Sequence, residues 1–119
     1  MNKINFNWEN WQQVTMSSEI ESILKKIKEI PALLLYCSTP ECQVCRSLRP
    51  RVETLLQNYP DIHFLYLNIN DYPLIRGQYL VFTVPTLILF IHGKELKRFS
   101  RFFSLDELKE FLERTTINL

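Results

Sequence analysis

Cys42 and Cys45 stand one helical turn apart in the run Glu41-Cys42-Gln43-Val44-Cys45-Arg46. Cysteines at that spacing exchange electrons through a disulfide or hold a metal ion. On a helix the two side chains share a face, close enough for a disulfide, with Cys42 at the N-terminal end and Cys45 turned inward. The unpaired amides and dipole of a first helical turn stabilise an anion. Cys42 is therefore expected to have a depressed pKa and to be the attacking thiolate, and Cys45 to be the resolving thiol. Such a pair attacks a disulfide sulfur and forms a mixed disulfide. It releases the product when the second thiol closes the internal bond. That chemistry needs no cofactor. A zinc site would have to gather His63 and His92 from predicted strand ends at different sheet edges, so no metal is assigned. Cys37, inside an apolar run, reads as a small core residue rather than a second redox centre.

The elements that must hold this pair follow from periodicity. Ala32 to Cys37 is a continuous apolar run, expected for a central strand covered on both sides, and it leads through Ser38-Thr39-Pro40-Glu41 into the cysteines. From Cys42, the positions Cys45, Leu48, Val52, Leu55, Leu56 and Tyr59 make one helical stripe that Pro50 interrupts, which predicts a kink. Upstream, Ser18-Glu19-Ile20-Glu21 reads as a capping box opening a helix that Pro31 stops. Residues 1–10 read as an irregular arm that Trp8 and Trp11 would pack against the domain, and residues 11–16 as a short strand. Downstream, Ile62 to Ile69 is expected as a second buried strand. A short helix over Tyr72 to Tyr79 would be capped by Asp71, with Pro73 in its first turn. Leu87 to Ile91 and Glu95 to Arg101 should form a hairpin about His92-Gly93-Lys94, and Ser104 to Glu107 is a second capping box. The order β-α-β-α-β-α-β-β-α implies parallel crossovers followed by an antiparallel hairpin, an α/β/α three-layer sandwich occupying residues 11–119.

Composition excludes several alternatives. A chain of 119 residues with 46% hydrophobic and 23% charged side chains is one globular domain rather than a disordered or disulfide-stapled chain. Fourteen basic against thirteen acidic side chains leave a net charge of +1, which offers no general field for nucleic acid or an anionic membrane. No apolar run is long enough to span a membrane, and no secretory signal is visible, so a cytoplasmic address is expected. Three cysteines, an odd number, do not make a structural framework.

From about Trp11 onward the chain resembles the thioredoxin family. The likeness rests on the strand before the motif, Cys42-Gln43-Val44-Cys45-Arg46, Pro50 in the same helix, Val84-Pro85-Thr86, the Gly93 hairpin and the helix from Ser104 to Phe111. It implies a thioredoxin-like α/β/α sandwich with a central mixed sheet. It also implies a thiol–disulfide oxidoreductase with Cys42 and Cys45 as catalytic residues. The proline matching Pro85 would be cis against the cysteine pair. Val84, with Thr83 and Pro85, would meet the substrate chain.

The departures from the family pattern carry information too. Glu41 replaces the usual tryptophan before the motif, and Gln43-Val44 the usual Gly-Pro. Tyr36 stands where relatives bury the aspartate that takes the resolving thiol's proton, and Tyr66 where they often place a lysine. A phenol with a pKa near 10 is a poor base at neutral pH, so resolution by Cys45 should be slow unless water or another group helps. Arg101 aligns with a glycine that opens the substrate surface, which implies a more basic, narrower docking face. Singly, Arg46, Arg49 and Arg101 read as solvated surface charges. Jointly they would lower the pKa of Cys42 and favour an acidic partner or an anionic low-molecular-weight thiol. The expected function is a monomeric reductant of protein or small-molecule disulfides, recharged by a reductase or a thiol. The alternative is a weakly active binding or adaptor module on the same fold.

Overall fold

The computed structural model describes residues 18–116, so the expected arm and first strand lie outside the described residues. Helix α1 spans Ser18–Glu29 and buries Ile23 and Ile27. Acidic Glu19 and Glu21 at its start and basic Lys26 and Lys28 at its end complement the helix dipole. The described residues begin inside this helix at Ser18, so its start and the cap expected there lie outside them. After Pro31, strand β1 (Ala32–Ser38) is buried at every position. Helix α2 covers Gln43–Leu56, with Pro50 inside it. Strand β2 (His63–Asn68) runs into a 3-10 turn, Ile69–Asp71, and a short helix α3, Pro73–Gln78. Strands β3 (Thr86–Ile91) and β4 (Lys94–Ser100) form the hairpin, and α4 spans Leu105–Thr116. None of the described helices is long and apolar enough to cross a membrane.

The sheet order is β2-β1-β3-β4, with β1 parallel to β2 and antiparallel to β3, and β3 antiparallel to β4. The expected run of parallel crossovers is therefore corrected: the passage through α3 returns β3 in the opposite direction beside β1. The expected buried strand from Ile62 to Ile69 is corrected as well. It is the sheet's edge among the described residues, with only Leu67 of β2 fully buried, and Ile69 already belongs to the 3-10 turn. Asp71 caps nothing: it lies in that turn, and α3 starts behind Tyr72 with no side-chain cap. At the hairpin, His92 (φ 50°) and Gly93 (φ 80°) both take the left-handed conformation that a two-residue turn of matching twist requires. A Cβ at Gly93 would sit 3.0 Å from the carbonyl oxygen of Lys28.

Alternation along β1 divides the interior in two. Leu34 and Tyr36 point to one face, where Cys45, Val52 and Leu55 of α2 and Leu108 and Leu112 of α4 cover them. Leu33, Leu35 and Cys37 point to the other, against Ile23 and Ile27 of α1 and Ile75 of α3. A central strand flanked by pairing partners and covered by helices above and below has no polar face, which is why β1 reads as an unbroken apolar run.

Candidate functional site

The C-terminal end of β1 delivers the chain to the cysteines. A turn closed by the Cys42 N–H donating to the Thr39 carbonyl (3.1 Å) leaves Cys42 as the N-cap of α2, with an extended backbone at φ −81°, ψ 100°. Its sulfur takes the place of a capping oxygen: the Cys45 N–H donates to Cys42 Sγ at 3.2 Å. The two residues form a disulfide, with Cα atoms 5.3 Å apart. Cys42 is half-buried and Cys45 fully buried, so solvent and any partner meet Cys42 first. An amide aimed at a sulfur on a helix N-terminus stabilises a thiolate there, which is the electrostatic arrangement an attacking cysteine needs.

Opposite Cys42 lies the turn before β3. The Val84–Pro85 peptide is cis. Thr86 Oγ1 donates to the Thr83 carbonyl (2.7 Å), and the Arg101 N–H donates to the Pro85 carbonyl (2.8 Å). Between this turn and the start of α2 opens a groove of about 590 Å³, lined by Glu41, Cys42, Gln43, Val44, Val84, Pro85, Arg101 and Phe102. The structure thus brings together Cys42, Val84, Pro85 and Arg101 of the residues singled out in the sequence, with Cys45 bonded behind. Thr83 braces the turn through its carbonyl, and neither it nor Arg46, exposed on α2, lines the groove. Arg49 is committed elsewhere. Its guanidinium stacks 3.7 Å over the Tyr66 ring, and its Nε donates to Glu53 at 3.2 Å.

Beneath the disulfide, the Tyr36 hydroxyl donates to the Cys45 carbonyl (2.8 Å), and its ring packs 5.2 Å from that of Tyr66. Burial raises the Tyr36 pKa well above 10, the neighbouring Tyr66 adds to the rise, and Arg49 only partly opposes it. The phenol therefore stays protonated near neutrality: it anchors the first turn of α2 and accepts no proton from Cys45. Cys37 lies on the opposite face of the sheet from both cysteines, and burial pushes its pKa up to about 12 against the weaker pull of Arg98 and Arg76. His63 pairs with Leu33, and the His92 N–H donates to the Pro31 carbonyl. Both thus stand at the far end of β1 from the disulfide, roughly 20 Å away along a strand of this length.

Sequence reasoning missed two features. Phe102 forms a lip of the groove and is 86% exposed. The signal was available in the doublet Phe102-Phe103 ahead of the Ser104 cap. Neighbouring residues there cannot both face the core, and it is Phe103 that packs on Phe99. The second is a pair of arginines holding the segment before the proline turn. Arg98 donates to the carbonyls of Tyr79 (2.6 Å) and Leu80 (3.0 Å), and Arg76 to that of Val81 (3.0 Å). No local pattern announces contacts made between β4, α3 and a loop.

With this geometry the chain matches the thioredoxin family over residues 11–114. It is 34% identical over 103 residues to the thioredoxin-like protein YdfQ of Bacillus subtilis, covering 87% of this chain and 92% of that one. Among solved structures, thioredoxin 1 of Thermosipho africanus superposes with a TM-score of 0.67 at 34% identity, over 71% of this chain and 94% of the other. Oxidised thioredoxin O2 of Arabidopsis thaliana gives a TM-score of 0.72 at 25% identity, over 82% and 86%. The α/β fold, the paired cysteines and these likenesses show that the chain belongs to the thioredoxin family, whose members are in general thiol–disulfide oxidoreductases.

Proposed function

We propose that this chain reduces disulfides by a dithiol mechanism in which Cys42 attacks and Cys45 resolves. One observation carries the reading: Cys42 caps α2, accepts the Cys45 amide and opens on the groove, while Cys45 lies buried behind it at bonding distance. In the reduced protein, the Cys42 thiolate attacks one sulfur of a substrate disulfide, and the other sulfur leaves as a thiolate. Cys45 then loses its proton to water and attacks Cys42 Sγ, and the second substrate sulfur departs. Two electrons pass to the substrate and the Cys42–Cys45 disulfide remains, to be reduced by a reductase or a small thiol. Val84 and Pro85 form the wall against which the substrate chain lies. The reading includes a protein or small-molecule disulfide as substrate, a monomer, and a reducing compartment such as the cytoplasm.

The test is reduction of a protein disulfide coupled to a chemical dithiol. The wild type should turn over, Cys42→Ser should fall to background, and Cys45→Ser should accumulate mixed disulfides through Cys42. Tyr36 favours a second reading. Because its hydroxyl donates to a carbonyl and keeps its proton, no side chain is supplied there to deprotonate Cys45. A wild-type rate no higher than that of Cys42→Ser would identify a binding module that keeps the cysteine pair without turnover.

A further inference from the structure

The groove beside Cys42 carries two side chains that reduction itself does not require. Arg101 adopts φ 58°, a left-handed conformation that suits glycine and strains an L-residue, and its N–H is tied to the Pro85 carbonyl. Strain kept at the rim of a reactive site points to a role for the side chain held there. Among the described residues, no carboxylate pairs with the Arg101 guanidinium within ion-pair distance, although Glu41 faces the same groove and Asp106 the adjoining one. Instead the guanidinium lies 5.0 Å over the ring of Phe102. Phe102 and Val44, 86% and 61% exposed, present apolar surface to water on the groove's lips.

We propose that Arg101 and Phe102 select the substrate, the occupant being an extended segment of a disulfide-bonded protein with an acidic residue beside its reactive cysteine and an apolar residue next to that. This selection rests on the dithiol reading above. Arg101 attracts the carboxylate, and Phe102 with Val44 covers the apolar side chain. A small anionic disulfide has the charge but nothing to bury on the two lips, so the combination favours a polypeptide.

The experiment measures kcat/KM for synthetic disulfide peptides whose cysteine is flanked by Asp, Gln or Lys, with Leu or Ser at the next position, and for oxidised glutathione. In the wild type the Asp peptide should exceed the Lys peptide about tenfold at low salt, since attraction of one charge and repulsion of the other each supply a few-fold. That ratio should shrink at high salt. Arg101→Gln should bring it close to one, and Arg101→Glu should invert it. Phe102→Ser should remove the preference for Leu over Ser and keep the charge order. Arg101→Gly, whose residue suits the backbone there, guards against misfolding and should also erase the charge preference. A charge order that persists in Arg101→Gln and Arg101→Gly overturns the proposal. So does an Arg101-dependent preference for oxidised glutathione over every peptide, because the occupant is then a small thiol. Equal rates for all peptides sink the selection and leave disulfide reduction standing. If no disulfide is reduced at all, the dithiol reading fails and takes the selection with it.

Discussion

Two buried sulfurs, one on each face of the same sheet, meet different fates. Cys45 and Cys37 are both fully buried, yet Cys45 faces α2 and is bonded to a reachable partner, while Cys37 faces α1 and α3 among aliphatic side chains. Burial does not separate them. What does is the helix N-terminus that ends over one face only, bringing an amide, a half-exposed sulfur and the proline turn to the same place. The α1/α3 face is built to exclude water. The α2/α4 face admits a phenol, Tyr36, to fasten that helix end.

The contrast breaks if chemistry and stability do not separate between the faces. Cys42→Ser is the largest expected effect on activity, with disulfide reduction falling to background, whereas Cys37→Ala should keep the wild-type rate. If the Cys37→Ala rate falls with it, the two faces are not chemically distinct. On the other side, Ile27→Ala should cost about 3 kcal/mol of stability by opening a cavity beneath α1, read as the shift of a denaturant midpoint. The folded fraction should still reduce disulfides at the wild-type rate.

Alkaline stability sharpens the comparison further. The Cys37 pKa is raised from 9.0 to about 12 in the folded protein. A raised folded pKa means that the thiol's contribution is intact below pH 9 and is lost as the pH climbs toward 12. The slope approaches about 1.4 kcal/mol per pH unit, since the unfolded chain gives up its proton first. Unfolding of the oxidised protein between pH 9 and 12, compared with oxidised Cys37→Ala, isolates this effect because Cys42 and Cys45 do not titrate in the disulfide. Parallel curves would mean that the Cys37 thiol ionises as freely in the fold as outside it.

How much of this was legible in the sequence differs between the faces for a physical reason. The apolar run Ala32 to Cys37, the i,i+3 cysteines and the Ser104 cap are local patterns, and each appears where the sequence places it: the Glu107 N–H, for instance, donates to Ser104 Oγ at 3.1 Å. Strand direction and burial are not local. An apolar Ile62 to Ile69 looks the same at an edge as at the centre, and nothing in residues 72–85 says that β3 will return antiparallel to β1. At the site, the cysteines and Pro85 could be read from spacing and family likeness. Phe102 and the arginine bracing of residues 79–81 depend on which distant segments meet.

Tyr36→Phe tests a polar tie between β1 and α2 on the α2/α4 face. Removing the hydroxyl deletes its bond to the Cys45 carbonyl and should cost about 1 kcal/mol, measurable by chemical denaturation. Because the phenol keeps its proton at neutral pH, the rate at which Cys45 resolves a preformed mixed disulfide should change less than twofold, with the same pH dependence. A tenfold slowing would show that the hydroxyl takes part in the proton transfer.

The smallest effect is also the one in which stability and selection should move in opposite directions. Arg101→Gly relieves an L-residue at φ 58°, worth about 1–2 kcal/mol, and gives back about 0.5–1 kcal/mol through the greater freedom of glycine in the unfolded chain. The net gain, about 0.75 kcal/mol at the midpoints of those ranges, should raise Tm by a few degrees. The same variant should lose its discrimination between acidic and basic peptides. If it is both less stable and equally selective, the arginine is there to pack Phe102 and not to meet a substrate. A variant that gains stability while losing its preference would show that the fold keeps a strained backbone at the groove's rim for the sake of the charge it carries.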